Sequence, residues 1–141
     1  MAAFFKFQDF SEQLIRGVHD FDAHVFKVYL SNAAPSASLD AIKTDLAEIA
    51  AGNGYTAGGT ATTITVAETT GTTTVSGTQV VFTAAGGTIG PFQYAVLYNS
   101  TSASGNLVGA WDYGSAITLQ DGETFTVKFS NTSPGAILTL V

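Results

Sequence analysis

The sequence predicts a mainly β protein: an antiparallel β-sandwich or jelly-roll-like domain with one short helix at about residues 39–50 and an N-terminal arm. Three observations carry that reading. After residue 54, runs rich in Thr and Val are broken by Gly-containing turns about every eight to twelve residues, the spacing of sandwiches and barrels. One stretch, Leu39, Ile42, Leu46 and Ile49, repeats apolar residues at helical spacing. The chain has 141 residues, enough for a single domain, since domains of about 100–150 residues are the commonest.

Residues 1–23 read as an arm ahead of a sandwich domain over 24–141. Phe4, Phe7, Phe10 and Leu14 follow three- and four-residue spacings, and Ser11 can cap a short helix running through Leu14-Ile15-Arg16 until Gly17 interrupts it. Six of the ten Phe residues fall within the first 26 positions. Such a stripe can pack on its own sandwich or dock on a neighbouring subunit, because aromatic side chains bury large areas at small entropic cost. Phe4, Phe5, Phe7, Phe10 and Leu14 are therefore the candidate anchors.

Val25-Phe-Lys-Val-Tyr-Leu30 has the β-branched and aromatic content of a strand, ending at Asn32-Ala-Ala-Pro35. Ser38 then precedes the helical stripe, with Asp40 near its positive end and Gly52-Asn-Gly54 as the stop signal. That narrow stripe should lie on a sheet and leave Lys43, Asp45 and Glu48 in water. Further strands are expected near 62–67, 73–75, 79–84, 92–99, 107–113, 117–119, 124–130 and 136–141. Two hairpins stand out. Asp121-Gly122 turns Ile117–Leu119 into Thr124–Phe129, with Phe125, Val127 and Phe129 on one face. The loop Ser100–Gly105 joins Tyr94–Tyr98 to Leu107–Trp111.

Charge is scarce and uneven. Five Lys and Arg face eleven Asp and Glu, a net charge of -6, and charged residues make up 11% of the chain. Five scattered cations cannot form a phosphate-tracking groove, which argues against nucleic acid. A 45% hydrophobic content is the opposite of the disordered signature. Glu68 is the single charge between Ala50 and Trp111. A folded chain of this mass exposes about 6,900 Å², so that stretch covers its share with hydroxyls, backbone and small apolar groups. A surface of this kind suits packing against other subunits, whereas free monomers intersperse charge for solubility. Cysteine is absent, which excludes disulfides and thiolate metal sites. The first residues lack the pattern of a signal peptide, and no run reaches the 18 or so apolar residues of a membrane span.

The chain offers few groups for catalysis, and no enzyme is expected. His19-Asp-Phe-Asp-Ala-His24 collects two imidazoles and two carboxylates, but the five-residue separation puts the histidines on different faces of a helix or strand, so a solvated connector is favoured over a metal site. Trp111, Asp112 and Tyr113 could stack on a sugar ring, although no second carboxylate is spaced to make a glycosidase pair. Gly86-Gly-Thr-Ile-Gly90 lacks the Lys of a phosphate loop. Asn99-Ser-Thr101 and Asn131-Thr-Ser133 match the glycosylation pattern by chance in a Ser/Thr-rich chain. No cofactor is implied.

Val28-Tyr-Leu-Ser-Asn-Ala-Ala-Pro35, Asp45-Leu-Ala-Glu-Ile-Ala-Ala-Gly-Asn-Gly-Tyr-Thr-Ala-Gly-Gly59, Tyr94–Tyr98, Leu107-Val-Gly-Ala-Trp-Asp-Tyr-Gly114, Leu119–Val127 and Gly135–Leu140 together resemble small β-sandwich virion proteins of tailed bacteriophages, of the type that decorates or cements the icosahedral head. The resemblance begins at about residue 24 and brings no catalytic residues. It implies a capsid decoration protein on the virion exterior, assembled in the host cytoplasm, whose partners are the major capsid protein and its own copies, as a homotrimer or another homo-oligomer, with neither membrane nor nucleic acid. The alternative is a tail or fibre adhesion module that presents Trp111, Asp112 and Tyr113 to cell-surface glycan.

Overall fold

The structure is a computed structural model that describes residues 2–130 and 134–141. Among these residues the elements run β1 (Ala3–Lys6), α1 (Gln8–Ile15), β2 (Phe26–Ser31), β3 (Thr60–Thr62), β4 (Ile64–Thr69), β5 (Thr72–Gly77), β6 (Val80–Thr83), β7 (Ile89–Asn99), β8 (Leu107–Leu119), β9 (Thr124–Val127) and β10 (Gly135–Leu140). The protein is mainly β, its sheets are antiparallel, and it carries one short helix, consistent with a β-sandwich. The glycosylation-like Asn131-Thr-Ser133 lies outside the described residues.

A five-stranded sheet in the order β1-β8-β7-β2-β3 forms the centre. Its inner strands are covered on both faces over Val28–Ser31 and Leu107–Trp111, which explains the unbroken burial there. On one face Phe26, Val28, Leu30, Ala95, Leu97 and Trp111 meet Val75, Val80, Phe82, Val127 and Phe129 from the three-stranded β10-β5-β4 sheet, the β6-β9 pair and the segment after β9. On the other, Tyr29, Val96, Tyr98, Leu107 and Ala110 close a second core with Phe7 and Leu46. Fully burying a side chain of this size contributes roughly 1.5–3 kcal/mol.

The expected β7–β8 hairpin forms, pairing Tyr94 with Asp112, Val96 with Ala110 and Tyr98 with Leu107. Asp121-Gly122 turns the chain as expected, with Gly122 at φ 88°, and Val127 and Phe129 are buried. The strands flanking that turn do not pair with each other, however. β8 pairs with β1 and β7, and β9 pairs with β6 in the register Val80↔Val127 and Phe82↔Phe125. Backbone bonds from Gly122 N–H to Ala84 O (2.8 Å) and from Ala84 N–H to Glu123 O (2.9 Å) direct this exchange of partners.

The helix expected at 39–50 is absent. Lys43–Asp45 makes a single 3-10 turn, and the short helix is α1 at Gln8–Ile15. Carboxylates fix the start of the segment in another shape, and the neighbouring loop and β2 take up the Lys43 and Ile49 donors that a helix would use internally. Asp45 Oδ2 accepts the N–H groups of Ala41 (2.9 Å) and Ile42 (3.0 Å), and Asp40 Oδ2 accepts that of Ser36 (2.7 Å). Lys43 N–H reaches Gly105 O and Ile49 N–H reaches Leu30 O. The segment thus lies irregularly over the second face of the central sheet, burying Leu46 and leaving Leu39 80% exposed.

The N-terminal segment packs on the sandwich that it precedes. β1 adds to the central sheet by pairing Phe4 with Trp111 and Lys6 with Gly109, and α1 then ends at Gly17, φ 80°. A Cβ on Gly109 would strike the Phe4 ring, so glycine makes room for the aromatic edge strand. Gly59 is constrained more severely: it sits at φ 76°, and a Cβ there would collide with the Val28 carbonyl. Gly59→Ala is expected to cost at least ~2 kcal/mol, from left-handed strain plus backbone displacement. Urea unfolding would measure it, and an unshifted midpoint would contradict this seating of the loop.

Candidate association surface

β4 reads Ile-Thr-Val-Ala-Glu-Thr, a β-branched run ending in a tight turn at Thr70-Gly71, both at positive φ. It pairs with β5 on one side, from Ile64↔Gly77 to Thr69↔Thr72, and forms the end of its sheet on the other. Edge strands of soluble proteins are commonly blunted by Lys, Pro or a bulge. β4 has no Lys or Pro and keeps a continuous register with β5. Its one charge, Glu68, is engaged locally, its Oε1 accepting the Gly71 N–H at 2.6 Å. Beyond Ile64 the strand is exposed throughout, including Val66 at 41%.

The inner face of the β10-β5-β4 sheet overhangs the core beside this edge. Between it and the N-terminal segment opens a groove of about 610 Å³, walled by Phe10, Leu14 and Phe21 on one side and Val66, Val75, Leu138 and Leu140 on the other, with Lys6, Asp20 and Asp22 also lining it. Lys6 Nζ donates to Ser11 Oγ at 2.7 Å.

The candidate anchors divide. Phe7 and Phe10 are 0% and 4% exposed within the chain's own cores, so in this fold they anchor the segment to its own sandwich. Leu14 is partly buried against the same core, Phe5 packs on the second one, and Phe4 is 41% exposed with its ring 4.9 Å from Trp111. The glycan platform is corrected in the same way. Trp111 is 2% exposed, held between Phe4 and Phe129, and Tyr113 packs edge-on against Phe125. Burial pushes the Tyr113 phenol up to about 12. Asp112 accepts from Gln93 Nε2 (3.0 Å) and Gly114 N–H (2.7 Å), bonds that lower its pKa in that order. Trp111 thus closes the sandwich and cannot offer the flat exposed ring that sugar stacking needs, and Tyr113 is half-buried.

A polar cluster that sequence reasoning missed lies under the 41–59 segment. Lys43 Nζ and Glu48 Oε2 pair at 2.6 Å with side chains 27% and 15% exposed, rather than standing in water. Glu48 Oε1 also accepts from Tyr55 OH and Gly58 N–H, each at 2.7 Å. Lys43 Nζ lies 4.9 Å from the Tyr29 ring centroid. Burial first, then the Glu48 charge, raises the Tyr29 and Tyr98 phenols, and burial is likewise the chief cause at Tyr55. All three stay protonated and donate, Tyr29 to Leu46 O and Tyr98 to Gly58 O, so the cluster fastens the loop. The Lys-x4-Glu spacing followed by Tyr is its only trace in the sequence.

No family model, curated protein or solved structure matches the chain. The chemistry of its own residues is therefore the basis for a functional reading. The described residues bring together no group of three or more His, Cys, Asp or Glu able to hold a metal. The His19–His24 connector is solvated in part: Asp20, Asp22 and Ala23 are exposed as expected, whereas His19 is 5% exposed, among the rings of Phe10, Phe21 and Phe26.

Proposed function

We propose that the protein is a non-enzymatic structural component of a bacteriophage virion, most specifically a capsid decoration protein that cements neighbouring shell subunits from the outside of the head. Its partners in this reading are the major capsid protein and further copies of itself. The observation that carries the association role is β4, an exposed edge strand with neither Lys nor Pro and a single carboxylate, set beside an apolar groove. An open edge offers a row of backbone donors and acceptors to another strand, and adjacent apolar walls give side chains of that strand somewhere to go. The virion assignment is supported by the sequence resemblance described above and by the stretch from Ala50 to Trp111, whose single charge is Glu68.

Copy number in purified particles tests the virion reading: hundreds of copies per head are expected, while a handful per particle or none would overturn the decoration role. A charge on the edge tests the surface. Val66→Lys is expected to weaken head binding or self-association about tenfold or more by adding an edge gatekeeper, with little change in melting temperature because the side chain is partly exposed. Unchanged association measured by sedimentation would move the contact away from β4.

A further inference from the structure

The end of β7 meets the loop before β2 through Asn99, beside the bonds that Ser100 and Thr101 make with Val25. Asn99 is completely buried. Its Oδ1 accepts the backbone N–H groups of Thr101 (3.0 Å) and Ser102 (3.2 Å). Those donors fix the orientation of the amide, so its Nδ2 faces the other way, toward Val18 O (3.2 Å), His19 Nδ1 (3.3 Å) and His24 Nδ1 (2.9 Å). An amide NH₂ only donates, and its two hydrogens face three neighbours, so the closer His24 Nδ1 accepts one while Val18 O and His19 Nδ1 share the other, and both rings carry their proton on Nε2. The Asp20 N–H, donating to His24 Nδ1 at 3.3 Å, demands the same tautomer. His19 Nε2, the protonated nitrogen, is buried without a partner.

We propose that His19, Asn99 and His24 form a proton-operated latch that holds the N-terminal segment, residues 2–24, on the central sheet at neutral pH and releases it in acid. Protonating the His19 ring at Nδ1 turns an acceptor into a donor aimed at the donor hydrogens of Asn99. Asn99 is the shared hinge of this arrangement, because the same side chain caps the 100–102 turn.

The surroundings favour the neutral state. Burial, and then the facing His24, hold His19 down at about 4, and Asp9 on α1 offsets this only in part. Asp20 and Asp22 lie on the same loop, but the Asp20 carboxylate is occupied by the N–H groups of Asp22 and Ala23. β2 contributes the Phe26 ring, and 99–102 contributes only Asn, Ser and Thr. Because the folded value lies below the ordinary 6.5, the latch contributes fully above pH 6.5 and loses its contribution as pH falls from there toward about 4. Release would uncover Phe10 and Phe21, the latter stacked on Phe26 at 4.4 Å, turning a packed segment into an adhesive one.

Hydrogen exchange of the full chain, corrected for the intrinsic pH dependence, tests the latch. Between about pH 7 and about pH 4.5, exchange in 2–24 is expected to accelerate roughly tenfold or more while β4 and β5 stay protected. A pH-independent segment, or one that opens only together with the whole sandwich, would overturn the latch. Asn99→Asp replaces the donor by an acceptor and is expected to reverse the sign, holding the segment more tightly in acid. Should that variant fail to fold, the imidazole ¹⁵N shifts of the wild-type chain decide: both rings in the Nε2–H form at neutral pH support the latch, and either ring in the Nδ1–H form overturns it.

Discussion

Phe7→Ala is expected to lower the free energy of unfolding by about 3–5 kcal/mol, the usual cost of emptying a buried aromatic site. Phe7 is 0% exposed and fills the second core among Tyr29, Leu46, Val96, Tyr98 and Leu107. Its backbone N–H also donates to Val108 O at 3.2 Å, so the residue joins β1 to α1 across the central sheet. A cavity there has poor prospects of collapse, because β7 and β8 hold its walls in register. Domains of this size have a total stability of about 5–15 kcal/mol, so the variant should sit near its unfolding threshold at 37 °C. Phe4→Ala, at a side chain 41% exposed, should cost about 1–2 kcal/mol by the area it loses. Urea denaturation of both variants separates an integrated segment from a free arm: a free arm would tolerate both changes within about 0.5 kcal/mol.

Glu48→Ala should produce the next largest loss, about 2–4 kcal/mol. It strands Lys43, the Tyr55 hydroxyl and the Gly58 N–H together, at distances of 2.6 to 2.7 Å from the missing carboxylate. Removing one partner of a fully buried ion pair costs about 3–5 kcal/mol, and the lower figure allows for solvent reaching the 27% and 15% exposed side chains. Glu48→Gln keeps one acceptor oxygen and should lose roughly half as much. Thermal unfolding at low and high salt reads both effects. A loss below about 0.5 kcal/mol for Glu48→Ala would mean that the loop is held by Leu46 and backbone bonds alone.

The places where sequence reasoning succeeded share a cause. Strands such as Phe26–Ser31, Tyr94–Tyr98 and Leu107–Trp111 carry β-branched and aromatic residues whose preference is local, and the short loop at 100–105 leaves their pairing little alternative. Asp121-Gly122 was legible as a turn for the same reason, yet the partner of the strand that follows was not. The choice of β6 over β8 rests on bonds between Ala84 and the 122–123 turn, nearly forty positions away. The 39–50 stripe misled because spacing reports apolar residues without saying what satisfies the backbone. Here Asp40, Asp45 and the neighbouring sheet took the donors of this segment.

The functional residues followed the same division. The sequence by itself determined the β class, most strand positions, the charge-poor centre and the candidate anchors. The tertiary structure decided that Phe7, Phe10 and Trp111 are consumed inside the chain, that β4 ends its sheet as an open edge, and that Glu48 and Asn99 are hubs. A pattern states which side chains need to leave water, a requirement that this chain's sandwich and another subunit can meet equally well. Only the path of the chain chooses between them, and it brings His19 to Asn99 across eighty positions, a distance over which no local spacing carries information.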